Sequence, residues 1–301
     1  MENKILIVGT AAYDSIETPL GKREKVLGGS GVYASLSSRF FVKPILFSTV
    51  GEDFDHNYEE LLKKHSVEIE HIKKLKGEKT FYWRGSYLKD LNNAETLKTE
   101  LNVLEKFETA IPEELTDIPY LFLANIDPQL QAKIVSQMKN LEFCGLDTMN
   151  FWINSKRDEI YSLFRQISIM FLNDAEVKSL SDETNIFMAA DKLLSKGLKN
   201  LVVKRGEFGS VLFSKERMFI CPAFPLKKVV DPTGAGDTFA GAFMGYIAQT
   251  RSYDFENLKD ALIWGTVASS FCVSDFSVSA MTSITLENLK KRKDEFKGFL
   301  L

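Results

Sequence analysis

Residues 229–243 read VVDPTGAGDTFAGAF, and this stretch carries the strongest local signal in the chain. Three small residues, Gly234, Ala235 and Gly236, follow a Pro-Thr pair, and an apolar helical pattern begins soon after them. The first N–H groups of a helix have no partner within the helix, and the helix dipole places partial positive charge there. Because small residues let an anion approach those N–H groups closely, the stretch predicts a phosphate-binding turn at the start of a helix.

Asp237 adds a proton acceptor to this predicted turn. The helix dipole favours the ionised form of a carboxyl group in the first helical turn. A carboxylate is a weak base, but it suffices when the proton of an attacking hydroxyl leaves late, as the loose transition state of phosphoryl transfer allows. An acid after a glycine turn is also what a simple helix start requires, so the local pattern by itself leaves both interpretations open.

The full string DPTGAGDTFAGAF resembles the C-terminal signature of the PfkB, or ribokinase-like, family of carbohydrate and nucleoside kinases. The resemblance implies an α/β fold, a three-layer α/β/α sandwich with a mainly parallel central sheet and a small β-sheet lid. It implies that the backbone of Gly234, Ala235 and Gly236 stabilises the transferred phosphoryl group. It also implies that Asp237 contacts the acceptor and removes the proton from its hydroxyl.

Apolar runs alternate with helical patterns along most of the chain. Residues 4–9 (KILIVG), 120–125 (YLFLAN) and 167–173 (ISIMFLN) have the composition of strands buried on both faces. Such alternation predicts a parallel sheet covered by helices on both sides, which agrees with the fold that the resemblance implies.

Residues 80–103 depart from this alternation. Two strand-like segments, TFYWRGSYL and ETLKTELNV, flank turn residues at Asn92–Asn93. They fit either a hairpin packed on the main sheet or the family's lid. About residues 11–27 and 78–106 would form this lid. The resemblance implies a single kinase domain over residues 1–301. The resemblance implies that this lid closes over the substrate, where it would exclude water, and that a homodimer interface can form through it.

The N-terminal part matches the family's acceptor site at four residues. Asp14 follows the first apolar strand, and ligands of open parallel sheets collect beyond the carboxyl ends of the strands. Gly28 and Gly29 precede a helical pattern that Ser30 can cap, and the glycines let a ligand approach the backbone. The resemblance implies that these four residues bind the substrate. The family often has Asn soon after the glycine pair, whereas this chain has Ser30 and Tyr33.

The strings NDAE and NLVVKRGEFG match the family's nucleotide-binding segments. Asn173 with Glu176 three residues later is also the pattern of a helix capping box. The resemblance implies that Glu176 helps place the Mg²⁺ of Mg-ATP through water, which suits an ion that keeps most of its waters. It implies a monovalent cation, K⁺, at Asp231 and Thr233. The predicted nucleotide-binding residues are Asn173, Lys204, Gly206, Gly209, Thr233, Gly234 and Gly236.

Charge and hydropathy argue against several other classes of protein. The formal net charge is −3, which is typical of neither a nucleic-acid-binding nor a membrane-surface protein. No apolar run approaches the ~20 residues of a membrane span, and the first residues have the pattern of a strand and not of a signal peptide. Three widely separated cysteines predict a reduced, cytoplasmic protein. The Walker A and protein-kinase strings are absent from the sequence.

Together these patterns predict an ATP-dependent kinase that phosphorylates a primary hydroxyl of a small sugar or sugar-like substrate. A nucleoside kinase of the same fold is the alternative. A catalytically silent nucleotide-binding regulator ranks lower, because Asp237 and the anion-binding turn are intact. A dinucleotide-dependent dehydrogenase ranks lower still, since Gly9 is not followed by G-x-x-G.

Overall fold

The structure is a computed structural model that describes residues 3–92 and 94–300, with Leu300 described by its backbone alone. The chain divides into two compact units. The first comprises Met1–Glu108 and Phe224–Leu301, and the second comprises Thr109–Ala223. The turn predicted at Asn92–Asn93 lies partly outside the described residues, because Asn93 is not among them.

The elements follow one another in chain order. The N-terminal part of the first unit contains β1 (Lys4–Val8), β2 (Ala12–Thr18), β3 (Gly21–Gly28), α1 (Ser30–Ser38), β4 (Lys43–Gly51), α2 (His56–Lys64), β5 (Ile72–Leu75), β6 (Tyr82–Ser86) and β7 (Glu95–Glu100). The second unit contains β8 (Tyr120–Leu123), α3 (Pro128–Val135), β9 (Phe143–Asp147), α4 (Asn150–Ser155), α5 (Arg157–Leu163), β10 (Ile169–Asn173), α6 (Asp174–Ser181), α7 (Ile186–Ser195), β11 (Asn200–Lys204), β12 (Ser210–Ser214) and β13 (Arg217–Cys221). The first unit then ends with α8 (Ala235–Thr250), α9 (Phe255–Cys272), α10 (Ser279–Ser283) and α11 (Leu286–Leu300).

In the first unit, β1, β4 and β5 form parallel pairs in the order β1-β4-β5. The four residues 5–8 of β1 are completely buried, as expected for a strand covered on both faces. All nine residues of α1 are also buried, because α1 packs closely against α8. A Cβ atom at Gly241 of α8 would lie 2.3 Å from the Ala34 carbonyl oxygen, so the two helix backbones meet there. This packing fixes the N-terminal end of α8 relative to α1.

A second, four-stranded sheet of the first unit has the order β3-β2-β6-β7, and we call it the small sheet. β2 pairs antiparallel with β3 and parallel with β6, and β6 pairs antiparallel with β7. Its strands lie within the two segments predicted to form a lid. Closure over a substrate, a homodimer interface through this sheet and a single kinase domain over residues 1–301 all stay predictions.

The second unit contains six strands in the order β13-β12-β11-β10-β9-β8. Strands β8 to β11 are parallel, and β12 and β13 add an antiparallel edge. The carboxyl ends of the parallel strands carry Asp147, Asn173 and Lys204.

No described helix is long and apolar enough to cross a membrane. No group of three or more His, Cys, Asp or Glu side chains among the same residues could hold a metal ion. The three cysteines are free and buried, as the sequence predicted.

Candidate active site

Residues 233–237, which we call the α8 turn, form the start of α8. Gly234 is the N-cap residue, in the left-handed conformation with φ 73°, and the helix begins at Ala235. The Ala235 N–H donates to the Pro232 carbonyl at 3.2 Å, so this N–H closes the turn. Residues 234–237 are all partly exposed, whereas Thr233 is buried. The turn, and Asp237 within it, is therefore open to a ligand, as the anion-binding hypothesis requires.

Tyr33 of α1 packs directly on this turn. A Cβ atom at Gly234 would lie 2.4 Å from the Tyr33 ring, so the ring rests on the glycine backbone. Tyr33 is 1% exposed, and its hydroxyl is one of the buried side-chain atoms without a hydrogen-bond partner in the described part of the chain. Tyr33 was not among the predicted site residues, although a tyrosine soon after the glycine pair departs from the Asn that the family often has there.

Asp14 of β2 lies against the glycine pair. A Cβ atom at Gly28 would lie 1.9 Å from a carboxylate oxygen of Asp14, so only glycine leaves room for this side chain. The Gly29 backbone N–H donates to the same carboxylate. Gly29 itself has φ 100°, a conformation that favours glycine. The structure thus brings together three of the residues predicted to bind the acceptor.

Three acids of the first unit interact around this point. Burial first, and then the nearby carboxylates of Asp231 and Asp237, raise the pKa of Asp14 to about 8, while the Gly29 N–H opposes the change. Asp14 is only 5% exposed. A carboxyl group with this pKa holds a proton at neutral pH, so the Asp14 carboxyl can also donate a hydrogen bond to a ligand oxygen.

The pKa of Asp14 predicts a specific dependence of stability on pH. The folded protein keeps this proton up to about pH 8, whereas the unfolded chain loses it near the ordinary value of 3.8. Stability contributed by this proton is therefore complete below the unfolded value and is lost as pH rises towards 8. Asparagine does not titrate, so the Asp14→Asn variant lacks this pH dependence. We expect the unfolding temperature of the variant minus that of the wild type to increase by roughly 5 °C from pH 5 to pH 9. A difference that stays constant over this range would contradict the assignment.

Asp231 lies beside the α8 turn and is 1% exposed. Its carboxylate oxygens accept hydrogen bonds from the Thr233 N–H at 2.9 Å and the Ser277 N–H at 3.0 Å. Burial raises the pKa of Asp231, and these backbone donors oppose the change. A buried carboxylate with remaining acceptor capacity fits an oxygen-ligated cation. The monovalent cation at Asp231 and Thr233 stays a prediction. Comparing the rate of ADP formation in KCl with that in choline chloride would test it.

The prediction that Ser30 caps α1 is wrong. The N-cap residue is Gly29, and no side chain caps this helix start. Ser30 is the first helical residue, and its hydroxyl instead lies 3.2 Å from that of Thr10, while its own N–H donates to the Thr10 hydroxyl at 2.9 Å. Ser30 therefore helps to fix the loop after β1. A contact between Ser30 and the substrate stays a prediction.

In the second unit, Asn173 and Glu176 form the predicted capping box of α6. The Glu176 N–H donates to the Asn173 side chain at 2.8 Å, and the Asn173 N–H donates to the Glu176 carboxylate at 2.7 Å. Glu176 is 7% exposed. A carboxylate has about four acceptor positions, so this arrangement leaves capacity for a water of a hydrated Mg²⁺. That role of Glu176 stays a prediction.

Lys204 is paired with an acid that the sequence analysis did not identify. Its ammonium lies 2.7 Å from the carboxylate of Asp147, which is buried and also accepts the Thr148 N–H at 2.8 Å. Burial raises the pKa of Asp147, and the Lys204 charge opposes the change. The sequence did contain one signal, since each of the two residues is the last residue of a strand. These strands, β9 and β11, lie on either side of β10. The pair fixes the Lys204 ammonium at the carboxyl ends of the parallel strands in the second unit.

The glycine turn after β11 has the shape that its sequence predicted. Gly206 and Gly209 both adopt positive φ angles, 55° and 85°. A Cβ atom at Gly209 would lie 2.1 Å from the Cys221 carbonyl oxygen, so the turn closes against the end of β13. Nucleotide binding by this turn stays a prediction.

Comparison with known proteins gives a consistent result. The model of the pfkB family of carbohydrate kinases matches residues 2–285. A cytidine kinase of Thermococcus kodakarensis is 29% identical over 258 residues, which cover 82% of this chain and 89% of the relative. The structure of a Burkholderia thailandensis nucleoside kinase in complex with inosine is similar, with a TM-score of 0.81, 18% identity and coverage of 98% of this chain and 99% of the other. A ribokinase II structure from E. coli, in complex with ATP and Mg²⁺, has a TM-score of 0.79 at 19% identity, covering 97% and 99% of the two chains.

These similarities confirm the predicted family and fold class, an α/β ribokinase-like fold with a mainly parallel sheet and a separate small sheet. Kinases of the ribokinase family use ATP, and the similar E. coli structure contains both ATP and Mg²⁺. The family match covers most of the chain, including the α8 turn and the residues before α1 that are predicted to bind the acceptor. The chain therefore belongs to the pfkB family of carbohydrate kinases and is an ATP-dependent phosphotransferase that acts on a hydroxyl group.

Proposed function

We propose that this kinase phosphorylates the primary hydroxyl of a nucleoside. The sequence patterns alone favoured a free sugar as the substrate, with a nucleoside as the alternative. The cytidine kinase similar to this chain over 82% of its length supports the reverse order. The single structural observation that carries the proposal is an aromatic surface beside Asp14, since a nucleoside differs from a sugar by its flat base.

The aromatic surface belongs to Trp83 of β6. Asp14 and Trp83 are register partners in the parallel β2–β6 pair, so both side chains stand on the same face of the small sheet. Trp83 is half-buried, and its ring lies over Gly85, where a Cβ atom would be 2.1 Å from it. An aromatic ring held in one orientation is suited to stacking on a base, which contributes about 1–3 kcal/mol per base in proteins that bind single strands.

The residues of the first unit divide the reaction between them. In this proposal Asp14, Gly28 and Gly29 hold hydroxyls of the ribose, and Asp237 accepts the proton of the primary hydroxyl as its oxygen bonds to the γ-phosphorus and the bond from that phosphorus to the ADP oxygen breaks. The N–H groups of Gly234 and Gly236 in the α8 turn stabilise the charge on the transferred group, since those of Thr233 and Ala235 already donate within the protein. Mg²⁺, when bound, neutralises charge on the phosphates.

A panel of acceptors tests the proposal directly. With Mg-ATP, we expect ADP formation with at least one of cytidine, adenosine and inosine at a kcat/KM at least tenfold above that with ribose, fructose and 2-keto-3-deoxygluconate. We further expect Trp83→Ala to raise the KM for the nucleoside about tenfold, because a lost stacking contact of about 1.4 kcal/mol has that effect. Trp83→Phe should keep most of the affinity.

Trp152→Ala provides the matched control, since Trp152 is another half-buried tryptophan, on α4 of the second unit. Its KM for the nucleoside should equal that of the wild type. ADP formation with a free sugar and with no nucleoside would overturn the proposal in favour of the sugar kinase. An unchanged nucleoside KM in Trp83→Ala would remove the base-stacking assignment.

A further inference from the structure

Asp231 lies at the centre of a buried chain of hydrogen bonds in the first unit. Its carboxylate accepts the backbone N–H groups of Thr233 and Ser277. A carboxylate only accepts hydrogen bonds, so its partners must all present donors to it. Asp231 therefore fixes the position of Thr233 in the α8 turn relative to Ser277 in the loop between α9 and α10.

Both of these partners also contact the small sheet. The Thr233 hydroxyl lies 3.3 Å from the hydroxyl of Tyr87, the residue that follows β6. The Ser277 hydroxyl donates to the Leu27 carbonyl oxygen of β3. Leu27 immediately precedes the glycine pair beside Asp14. The chain of hydrogen bonds thus reaches the small sheet at two places, at Tyr87 just after β6 and at Leu27 of β3, which leads into the glycine pair.

Apolar packing supports the same connection. Ile16 of β2, Tyr87 and Phe276 form a buried cluster, so the loop residue next to Ser277 is packed against the small sheet. Ser277 has φ 56°, the left-handed conformation that is unfavourable for a non-glycine residue. Such a conformation persists only where surrounding contacts hold it, and here the hydrogen bonds of Ser277 to Asp231 and Leu27 do so.

The position of Thr233 fixes the α8 turn, because Gly234 is the next residue. Thr233 is held from three sides, by Asp231, by Tyr87 and by the Cys272 thiol of α9, which donates to the Thr233 carbonyl at 3.7 Å. Removal of the Tyr87 hydroxyl would leave the Thr233 side chain without its contact to the small sheet.

We propose that Tyr87 is a positioning residue for phosphoryl transfer. Through its contact with Thr233, it makes the orientation of the N–H groups of the α8 turn depend on the position of the small sheet. Acceptor bound at Asp14 and the glycine pair then favours the aligned turn, because the small sheet carries both Asp14 and Tyr87. The inference rests on the assignment of the α8 turn as the phosphoryl site and not on the choice between nucleoside and sugar.

Kinetics of Tyr87→Phe, Thr233→Val and the double variant test the coupling. We expect Tyr87→Phe to lower kcat about tenfold with the KM values for ATP and acceptor within threefold of the wild type. The effect of Tyr87→Phe should disappear in the Thr233→Val background, because residues that act through one contact are not additive. Tyr246→Phe removes the hydroxyl of a half-buried tyrosine at the other end of α8 and should leave kcat unchanged.

Hydrogen exchange of the free enzyme gives a readout that needs no acceptor. Peptides covering residues 232–238 should exchange faster in Tyr87→Phe than in the wild type and in Tyr246→Phe. Additive effects in the double variant, or a lowered unfolding temperature with unchanged kcat and unchanged exchange in this segment, would overturn the proposal. Failure of the wild type to use any nucleoside would refute the proposed substrate and leave the exchange result to decide the role of Tyr87.

Discussion

Replacement of Asp237 by asparagine is expected to reduce kcat by about a thousandfold, because general acid–base catalysis contributes about 10²–10⁴-fold and asparagine cannot accept the proton. Asn has nearly the same shape and is tolerated in the first turn of a helix, so the fold should be retained. Steady-state ADP formation with the best acceptor of the panel measures the loss, and thermal unfolding measures the fold.

Glu256→Gln is the matched control for this variant. Glu256 is the acid in the first turn of α9, so its replacement removes the same favourable interaction with a helix dipole away from the α8 turn. Its kcat should remain that of the wild type. An Asp237→Asn enzyme that keeps more than a tenth of the wild-type kcat would show that another group accepts the proton.

Replacement of Gly234 by alanine is expected to lower kcat/KM at least a hundredfold, about what the loss of one donor to a developing negative charge costs. The added Cβ would lie 2.4 Å from the Tyr33 ring, so either the ring or the turn must move. Because α1 is buried along its whole length, we expect the turn to move and its N–H groups to lose their alignment.

Gly77→Ala separates this contact from backbone strain. Gly77 has φ 76°, close to the 73° of Gly234, and a Cβ atom there would meet nothing within 4 Å. It should lose about 1 kcal/mol of stability, the cost of a left-handed alanine, with unchanged kinetics. If Gly234→Ala and Gly77→Ala lose the same stability and neither loses activity, the packing of Tyr33 on the turn has no role in catalysis.

The sequence predicted best those features that depend on residues close together in the chain. Small residues before an apolar helical pattern predicted the start of α8, and the structure begins that helix at Ala235. Asn173 and Glu176 predicted a capping box because its two hydrogen bonds join residues three apart. The family resemblance added the order of these motifs along the chain, from which the fold class followed.

Features that join distant residues were not predictable in the same way. Tyr87 and Thr233 are 146 positions apart, and no local pattern indicates that their hydroxyls meet. Lys204 was predicted to bind the nucleotide from the resemblance of its segment to the family, but its pairing with Asp147 depends on how β9 and β11 are arranged around β10. The capping of α1 was mispredicted because the Thr10 hydroxyl, 20 residues earlier, competes for the Ser30 side chain.

Burial of the three native thiols has a practical consequence for spectroscopy. Cys144, Cys221 and Cys272 are all buried, and burial raises the pKa of Cys272 to about 12, so the reactive thiolate is scarce at neutral pH. A maleimide dye should therefore react with an introduced surface cysteine and leave the native ones unmodified. Fluorophores attached in this way to β7 and to the exposed face of α11 could test whether the small sheet moves during turnover, without first building a cysteine-free enzyme.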